Sequence, residues 1–287
     1  MPTIKFYDAI NQGIQPKLRP TITNRLNIVG IWDWEQLDKW HLTRFATQVK
    51  NDMSASSAHT AFAVFKAFLG KFEDELTLPK GWRSILNCKN ELSMNTYLTA
   101  EEVEMFGNVW VDNDMERTVR DGFYVSCKTG LRHSDLVKLT PANFEGRGDG
   151  TYLLNYVSQK TKIKSTIPCS WDTVQKIAWL HNNGANITLA YYNELVKKLA
   201  ERADINAQVC VFKAGEELVG PKYKFISSHS ARRSFCTIMA DLGVNILDIM
   251  QLAGHTSPSM TSRYLVRHEV NVNSEAEKFL MRRSSEV

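Results

Sequence analysis

A chain of 287 residues, 43% of them hydrophobic, is long enough for two domains with a core in each, and a formal charge of +4 with a pI of about 8.7 suits a polyanionic partner without requiring one. The five cysteines are scattered, odd in number and form no CxxC pair, which argues against a disulfide framework or a zinc site and for reduced thiols in a cytoplasmic setting. No apolar run approaches the roughly 18 residues that span a bilayer, no secretory core opens the chain, and no P-loop, GxGxxG or HExxH occurs.

Residues 1–30 are weakly patterned. Pro16 and Pro20 are expected to break any early helix, and Lys17, Arg19 and Arg25 make the surface basic. The stretch from Trp32 to Trp40 reads as a short helix leading into a longer one through Leu42 and Phe45. From Ser56 to Phe72 the spacing of Ala61, Val64, Phe65, Phe68, Leu69 and Phe72 predicts one apolar face of a helix, and so a core. The segment from Leu76 to Asn95 then turns basic and broken, with Pro79, Gly81 and Asn87 among Lys80, Arg83 and Lys89. It divides a helical domain, residues 1–95 with a basic linker at its end, from a second domain, residues 96–287, that ends in a tail.

Thr99 and Glu102 form a capping box that opens the second domain with a helix to about Val109. A further helix runs from about Met115 to Lys128, with Gly130 suited to the position just past its end, and Arg132 follows. A short helix spans His133–Lys138, and Pro141 closes the region. Tyr152–Gln159 and Ser165–Pro168 read as a β-hairpin whose turn carries Lys160, Lys162 and Lys164. Helices are predicted at Trp171–His181 and Tyr191–Arg202, the latter with Lys197, Lys198, Glu201 and Arg202 outside its apolar face. Ser230–Leu242 forms a helix stopped by Gly243, Asn245 caps Ile246–Ala253, and Ser257-Pro258 starts a helix through Tyr264. The fold class is mainly α with a small β-hairpin sheet, that is, α+β.

The chemistry-bearing residues stand at element boundaries. Arg132 follows Thr129-Gly130-Leu131, Lys160 lies in the hairpin turn, His229 and Arg232 form an HxxR helix start, His255 ends Leu252-Ala253-Gly254, and Tyr264 comes nine residues later. Singly, His229 reads as a helix cap, Tyr264 as a half-buried core residue and Arg132 as a surface ion pair. In this order and spacing, residues 96–268 resemble the catalytic domain of the tyrosine recombinases, the phage integrase family. Residues 1–95 resemble that family's core-binding domain in length, position and helix content only. Leu-Ala-Gly-His stands where the family more often has Leu-Gly-His. By the same resemblance, the chain is expected to work as one of the simpler two-domain members, without the arm-site binding of some phage integrases.

The resemblance implies a role for each residue. Arg132 and Arg232 bracket one DNA phosphate, because a guanidinium fork matches two oxygens and keeps its charge. Tyr264 attacks phosphorus, and its phosphotyrosine link conserves the bond energy so that strands rejoin without ATP, metal or other cofactor. His229 serves as base or hydrogen-bond acceptor, Lys160 as acid to the departing 5′-oxygen, and His255 as a hydrogen bond to the phosphate. Lys160, eight residues before Pro168, fits the family's spacing better than Lys162 or Lys164. Asp135 orients Arg132 or His133 or is a plain helix-surface acid, Arg233 faces elsewhere, and Lys162, Lys164, Lys80, Arg83 and Lys89 contact DNA or are solvated charges. The implied partners are duplex DNA of a specific site, three further copies of the chain on paired sites, and accessory DNA-bending proteins. Off DNA the chain is expected to be a monomer, with no membrane partner and a nucleoid-associated place in the cytoplasm. The tail, with Phe279, Leu280 and Met281, packs on a neighbouring copy or on its own domain. Integration or excision of a phage or mobile element follows, against two rivals: a type IB topoisomerase-like nicking-closing enzyme and a non-catalytic DNA-binding protein on the same scaffold.

Overall fold

The computed structural model describes residues 1–88, 95–213 and 216–265. Chain contacts divide it into two units, residues 1–94 with 212–218, and residues 95–211 with 219–287. Among the described residues helices dominate and two small sheets complete the fold, in keeping with the expected α+β class. No helix among them is long and apolar enough to cross a membrane.

The first unit contains α1 (Phe6–Gly13), α2 (Arg19–Val29), α3 (Lys39–Asp52), α4 (Ala55–Gly70) and the short α5 (Trp82–Ile85). Pro20 does not break α2. It stands in the first turn, where a missing N–H costs no helical hydrogen bond. Asp38 and Ser54 cap α3 and α4 by accepting from the His41 and Ser57 N–H groups. The inward stripe of α4 is Ala58, Ala61, Phe62, Phe65, Phe68 and Leu69, so Phe62 takes the fully buried place expected for Val64. Phe68 stacks on Trp34 at 5.9 Å between ring centroids, and the Trp34 indole N–H donates to the Ile4 carbonyl at 2.8 Å. Each such buried aromatic contributes about 1.5–3 kcal/mol.

In the second unit α6 (Ala100–Gly107) begins at the Thr99–Glu102 capping box. The amphipathic α7 (Asp114–Thr129) packs against α6 and four later helices. After α8 (His133–Leu136) come β1 (Phe144–Gly146), β2 (Tyr152–Val157) and β3 (Lys164–Cys169), an antiparallel sheet in that order with Tyr156 opposite Ser165. The expected hairpin is therefore widened by one strand, too short to show alternation in sequence. Helices α9 (Trp171–Asn183) and α10 (Leu189–Arg202) follow. Next in the chain, β4 (Gln208–Lys213) and β5 (Glu216–Pro221), whose residues 212–218 group with the first unit, form a second, two-stranded sheet that the sequence reading did not anticipate, before the second unit resumes. The unit continues with α11 (Ser228–Asp241), α12 (Ile246–Ala253) and α13 (Pro258–Ser262). Tyr264 lies just beyond α13 rather than on it.

Lys198 and Arg202 are not merely solvated charges. They reach Glu116, a carboxylate 1% exposed in the first turn of α7, at 2.8 and 2.7 Å. Lys128 closes a further ion pair with Glu104, tying α7 to α6.

Candidate active site

Gly130 ends α7 in the left-handed conformation, φ 68°, and a Cβ there would sit 2.5 Å from the Phe235 ring, so the turn requires glycine twice over. The turn delivers Arg132 to the start of α8. Its Nη1 donates to Ser158 Oγ at 2.9 Å; Ser158 in turn donates to Asp135 Oδ2 at 3.2 Å. Asp135 Oδ1 accepts from the Gln159 N–H at 3.1 Å, and Arg132 Nη1 stands 3.8 Å from Asp135 Oδ2. Asp135 is 4% exposed and Ser158 fully buried. A buried carboxylate needs such partners, and here they orient the guanidinium. Asp135 thus serves Arg132, through Ser158. His133 turns away and packs edge-on against Tyr192 at 4.3 Å.

The same serine shapes the lysine turn. The Ser158 N–H donates to Ile163 O and its carbonyl accepts from Lys162 N–H, with Lys162 at a positive φ of 60°. On the other side Thr161 Oγ1 donates to Gly254 O at 3.0 Å and Ser165 Oγ to Gln251 O at 2.8 Å. Lys160 therefore sits between two anchors, one at Asp135 and one at the end of α12, with an exposed side chain. Lys162 and Lys164 are exposed beside it.

Helix α11 starts at Ser227, in a capping box with Ser230, and carries His229 and Arg232 on its first turns. Arg232 is fully buried. Its Nη1 donates to Gly130 O at 2.7 Å and its Nε to His255 Nε2 at 3.1 Å, while Nη2 finds no partner among the described residues. Arginine only donates, so His255 Nε2 accepts, and the ring proton sits on Nδ1, 2.9 Å from Thr261 Oγ1. Burial, then Arg232, Arg132 and His229, hold His255 down at about 3, so it is neutral at physiological pH.

Tyr264 closes the cluster. Its ring stacks on His255 at 4.8 Å, and the Arg232 and Arg233 guanidinium carbons stand 5.7 and 5.6 Å from its centroid. Its hydroxyl is 2.8 Å from His229 Nε2. Desolvation first, then Arg232, Arg233, Arg132 and Lys160, pulls His229 down to about 4, which leaves a neutral nitrogen able to accept the phenolic proton. The backbone holds the Tyr264 segment as well: Tyr264 N–H donates to Thr261 O at 2.8 Å and Thr237 Oγ1 to Tyr264 O at 3.2 Å.

The structure thus brings Arg132, Lys160, His229, Arg232, His255 and Tyr264 to one place, with Asp135 behind them. Two expectations change. His255 has both ring nitrogens engaged, so it supports Arg232 rather than offering an N–H to a phosphate. Arg233 does not face elsewhere; a long side chain spans the 100° step around the helix, lies against Tyr264 and donates to Arg263 O at 3.1 Å. Of the basic residues in the first unit, Lys80 is exposed, whereas Arg83 is paired with Glu73 at 2.5 Å and lies over Trp82. Lys89, Phe279, Leu280 and Met281 lie outside the described residues. Sequence reasoning missed Ser158, Thr161 and Thr261. Their only signal was their nearness to Lys160 and Tyr264 in the chain.

The family model for the phage integrase family matches residues 96–269. The chain belongs to the phage integrase family. Members of this family, the tyrosine recombinases, break and rejoin DNA. No curated protein matches the sequence. Among solved structures, the chain is similar to the Tn1549 transposon integrase in complex with transposon right end DNA, at 15% identity and a TM-score of 0.66, over 97% of this chain and 99% of that one. It is similar to the XerH site-specific recombinase bound to a palindromic difH substrate at 15% identity and a TM-score of 0.65, over 95% and 80%. A lambda integrase dimer bound to a COC′ core site gives 13% identity and a TM-score of 0.63, over 94% and 98%. At these identities the likeness is one of fold.

Proposed function

We propose that this phage integrase family member is a site-specific DNA recombinase that cleaves and rejoins duplex DNA through a 3′-phosphotyrosine link at Tyr264, serving integration or excision of a phage or mobile element. In the forward step Tyr264 Oη bonds to phosphorus, its proton passes to His229 Nε2, and the P–O5′ bond breaks. Lys160 protonates the departing 5′-oxygen. Rejoining is the reverse, so no high-energy co-substrate is needed.

Arg132 and the free Nη2 edge of Arg232 supply fixed positive charge where the five-coordinate phosphorus gathers negative charge. Asp135 and Ser158 hold the first guanidinium; His255 and the Gly130 carbonyl hold the second. Lys162, Lys164 and Lys80 add sequence-independent phosphate contacts. The helical residues 1–95 serve as a DNA-clamping domain, residues 96–287 as the catalytic domain, and four copies act on two paired sites with accessory DNA-bending proteins.

The observation that carries the reading is the 2.8 Å approach of the Tyr264 hydroxyl to His229 within one chain, beside an arginine with an unfilled N–H edge. A duplex nicked beside the cleavage site tests it. The wild-type chain is expected to form a covalent adduct that Tyr264→Phe abolishes, and no adduct from wild type would favour a non-catalytic binding protein. Four-way junction products on paired sites separate the recombinase from a nicking-closing enzyme.

A further inference from the structure

We propose that Thr261 is a positioning residue that ties the nucleophile segment to the phosphate-binding arginine by fixing the ring of His255; the inference rests on the DNA-cleaving reading above. Thr261 is fully buried in α13. Its side chain holds one residue of the site and its backbone holds another. Oγ1 accepts the His255 Nδ1 proton at 2.9 Å, and its carbonyl accepts the Tyr264 N–H at 2.8 Å. His255 passes the constraint on, because its Nε2 must face the Arg232 Nε–H at 3.1 Å.

The chemistry of the chain Thr261–His255–Arg232 admits one proton arrangement. A neutral imidazole has one donor and one acceptor. Arg232 can only donate, so it takes the acceptor, and the donor is left facing Thr261 in a site without water access. Remove the threonine hydroxyl and the Nδ1 proton is buried without an acceptor, an arrangement that folded proteins avoid. The ring then tips to find one, and Nε2 leaves Arg232. Tyr264 is stacked on that ring at 4.8 Å and 25°, so the tilt reaches the nucleophile too. Gly254 gives the arrangement a fixed base, since its left-handed turn, φ 62°, places His255 immediately after α12.

The consequence is a coupling. Docking α13 and its tyrosine orders Arg232, and an ordered Arg232 favours docked α13. Neither half of the site is complete without the other.

The test uses the full chain in two measurements. Long-range nitrogen–proton spectra of the histidine rings, on the DNA-free chain, are expected to show His255 with its proton on Nδ1 in wild type and in Thr261→Ser. In Thr261→Val, which keeps the shape and loses the acceptor, the Nδ1 form gives way to a tautomer mixture. Single-turnover adduct formation on the nicked duplex is expected to slow about 10–100-fold in Thr261→Val, at unchanged DNA affinity, and to stay within about threefold in Thr261→Ser. Thr261→Ala replaces Thr261→Val if the latter does not fold. A wild-type tautomer in the hydroxyl-free variant overturns the coupling, as does slowing that serine fails to relieve. Absence of an adduct from wild type itself would instead sink the cleavage reading, and the ring spectra would still decide the role of Thr261.

Discussion

Arg232 has three groups to place in one fully buried guanidinium: Nη1 donates to Gly130 O, Nε donates to His255 Nε2, and Nη2 is left without a partner among the described residues. A lysine ammonium is a point charge and cannot serve all three. Arg232→Lys is therefore expected to slow single-turnover cleavage by about 10²–10³-fold while the chain still folds, as read by quench assays and thermal unfolding. His229 gives a second prediction at this scale. Its value near 4 reflects desolvation and then a crowd of cations, and a DNA phosphate offsets that crowd. In the free chain its titration midpoint should lie near 4, and duplex DNA should move it upward; a midpoint that ignores DNA would place the phosphate elsewhere. Residues with fixed offsets from a helix end were legible in sequence: Arg132 past a glycine stop, His229 and Arg232 at a helix start, Tyr264 nine beyond His255. What was not legible is how the ring nitrogens of His255 are shared out, because that depends on Arg232 and Thr261, which come from different elements.

Among the elements, the turn at residues 158–163 does the most with the least regular structure. Ser158 holds Arg132 and Asp135 with its side chain and closes the lysine turn with its backbone. Ser158→Ala should therefore weaken the hold on Arg132 while leaving the turn bonded. Cleavage is expected to fall about tenfold or more, with little change in Lys160-dependent leaving-group protonation. A bridging 5′-sulfur substrate, whose thiolate leaves without a proton, separates the two: it should rescue Lys160→Ala and not Ser158→Ala. Elements of this kind divide by what marks them. The capping box at Thr99, the Gly130 stop and the Asn245 cap are side-chain signals local to the chain, and the structure has all three. Strand β1 is only three residues long, and β4 with β5 lacks a strong turn signature, so neither stands out in the sequence although each pairs with a near neighbour in the chain. By residue type alone Pro20 reads as a breaker, yet proline is tolerated in a first turn, and only the position of the helix start decides between the two.

At the scale of the whole molecule, the second unit holds both the buried ion pairs of Glu116 and the candidate site, and acid separates their ionisable groups. Glu116 is buried, which by itself raises its pKa, but hydrogen bonds from Lys198, Arg202 and the Asp112 N–H outweigh that and bring it to about 2. A carboxylate lowered on folding contributes stability that is present above its ordinary value near 4.5 and is lost as pH falls from there toward 2. His255, lowered from 6.5 to about 3, acts in a higher window: the unfolded chain binds its proton first, so stability drains as pH falls from about 6.5 toward 3. The second unit is therefore expected to lose stability in two overlapping stages, measured as denaturant midpoints between pH 7 and pH 3. Glu116→Gln keeps an acceptor but removes the charge facing Lys198 and Arg202, and because both cations still reach water it is expected to cost about 1–3 kcal/mol at pH 7. Because the penalty is already taken at neutral pH, the variant should show a shallower slope below pH 4.5, and its cleavage rate per folded molecule should match wild type, since Glu116 ties α7 to α10 and touches none of the six site residues. A slope unchanged by the substitution would mean that another carboxylate governs acid unfolding.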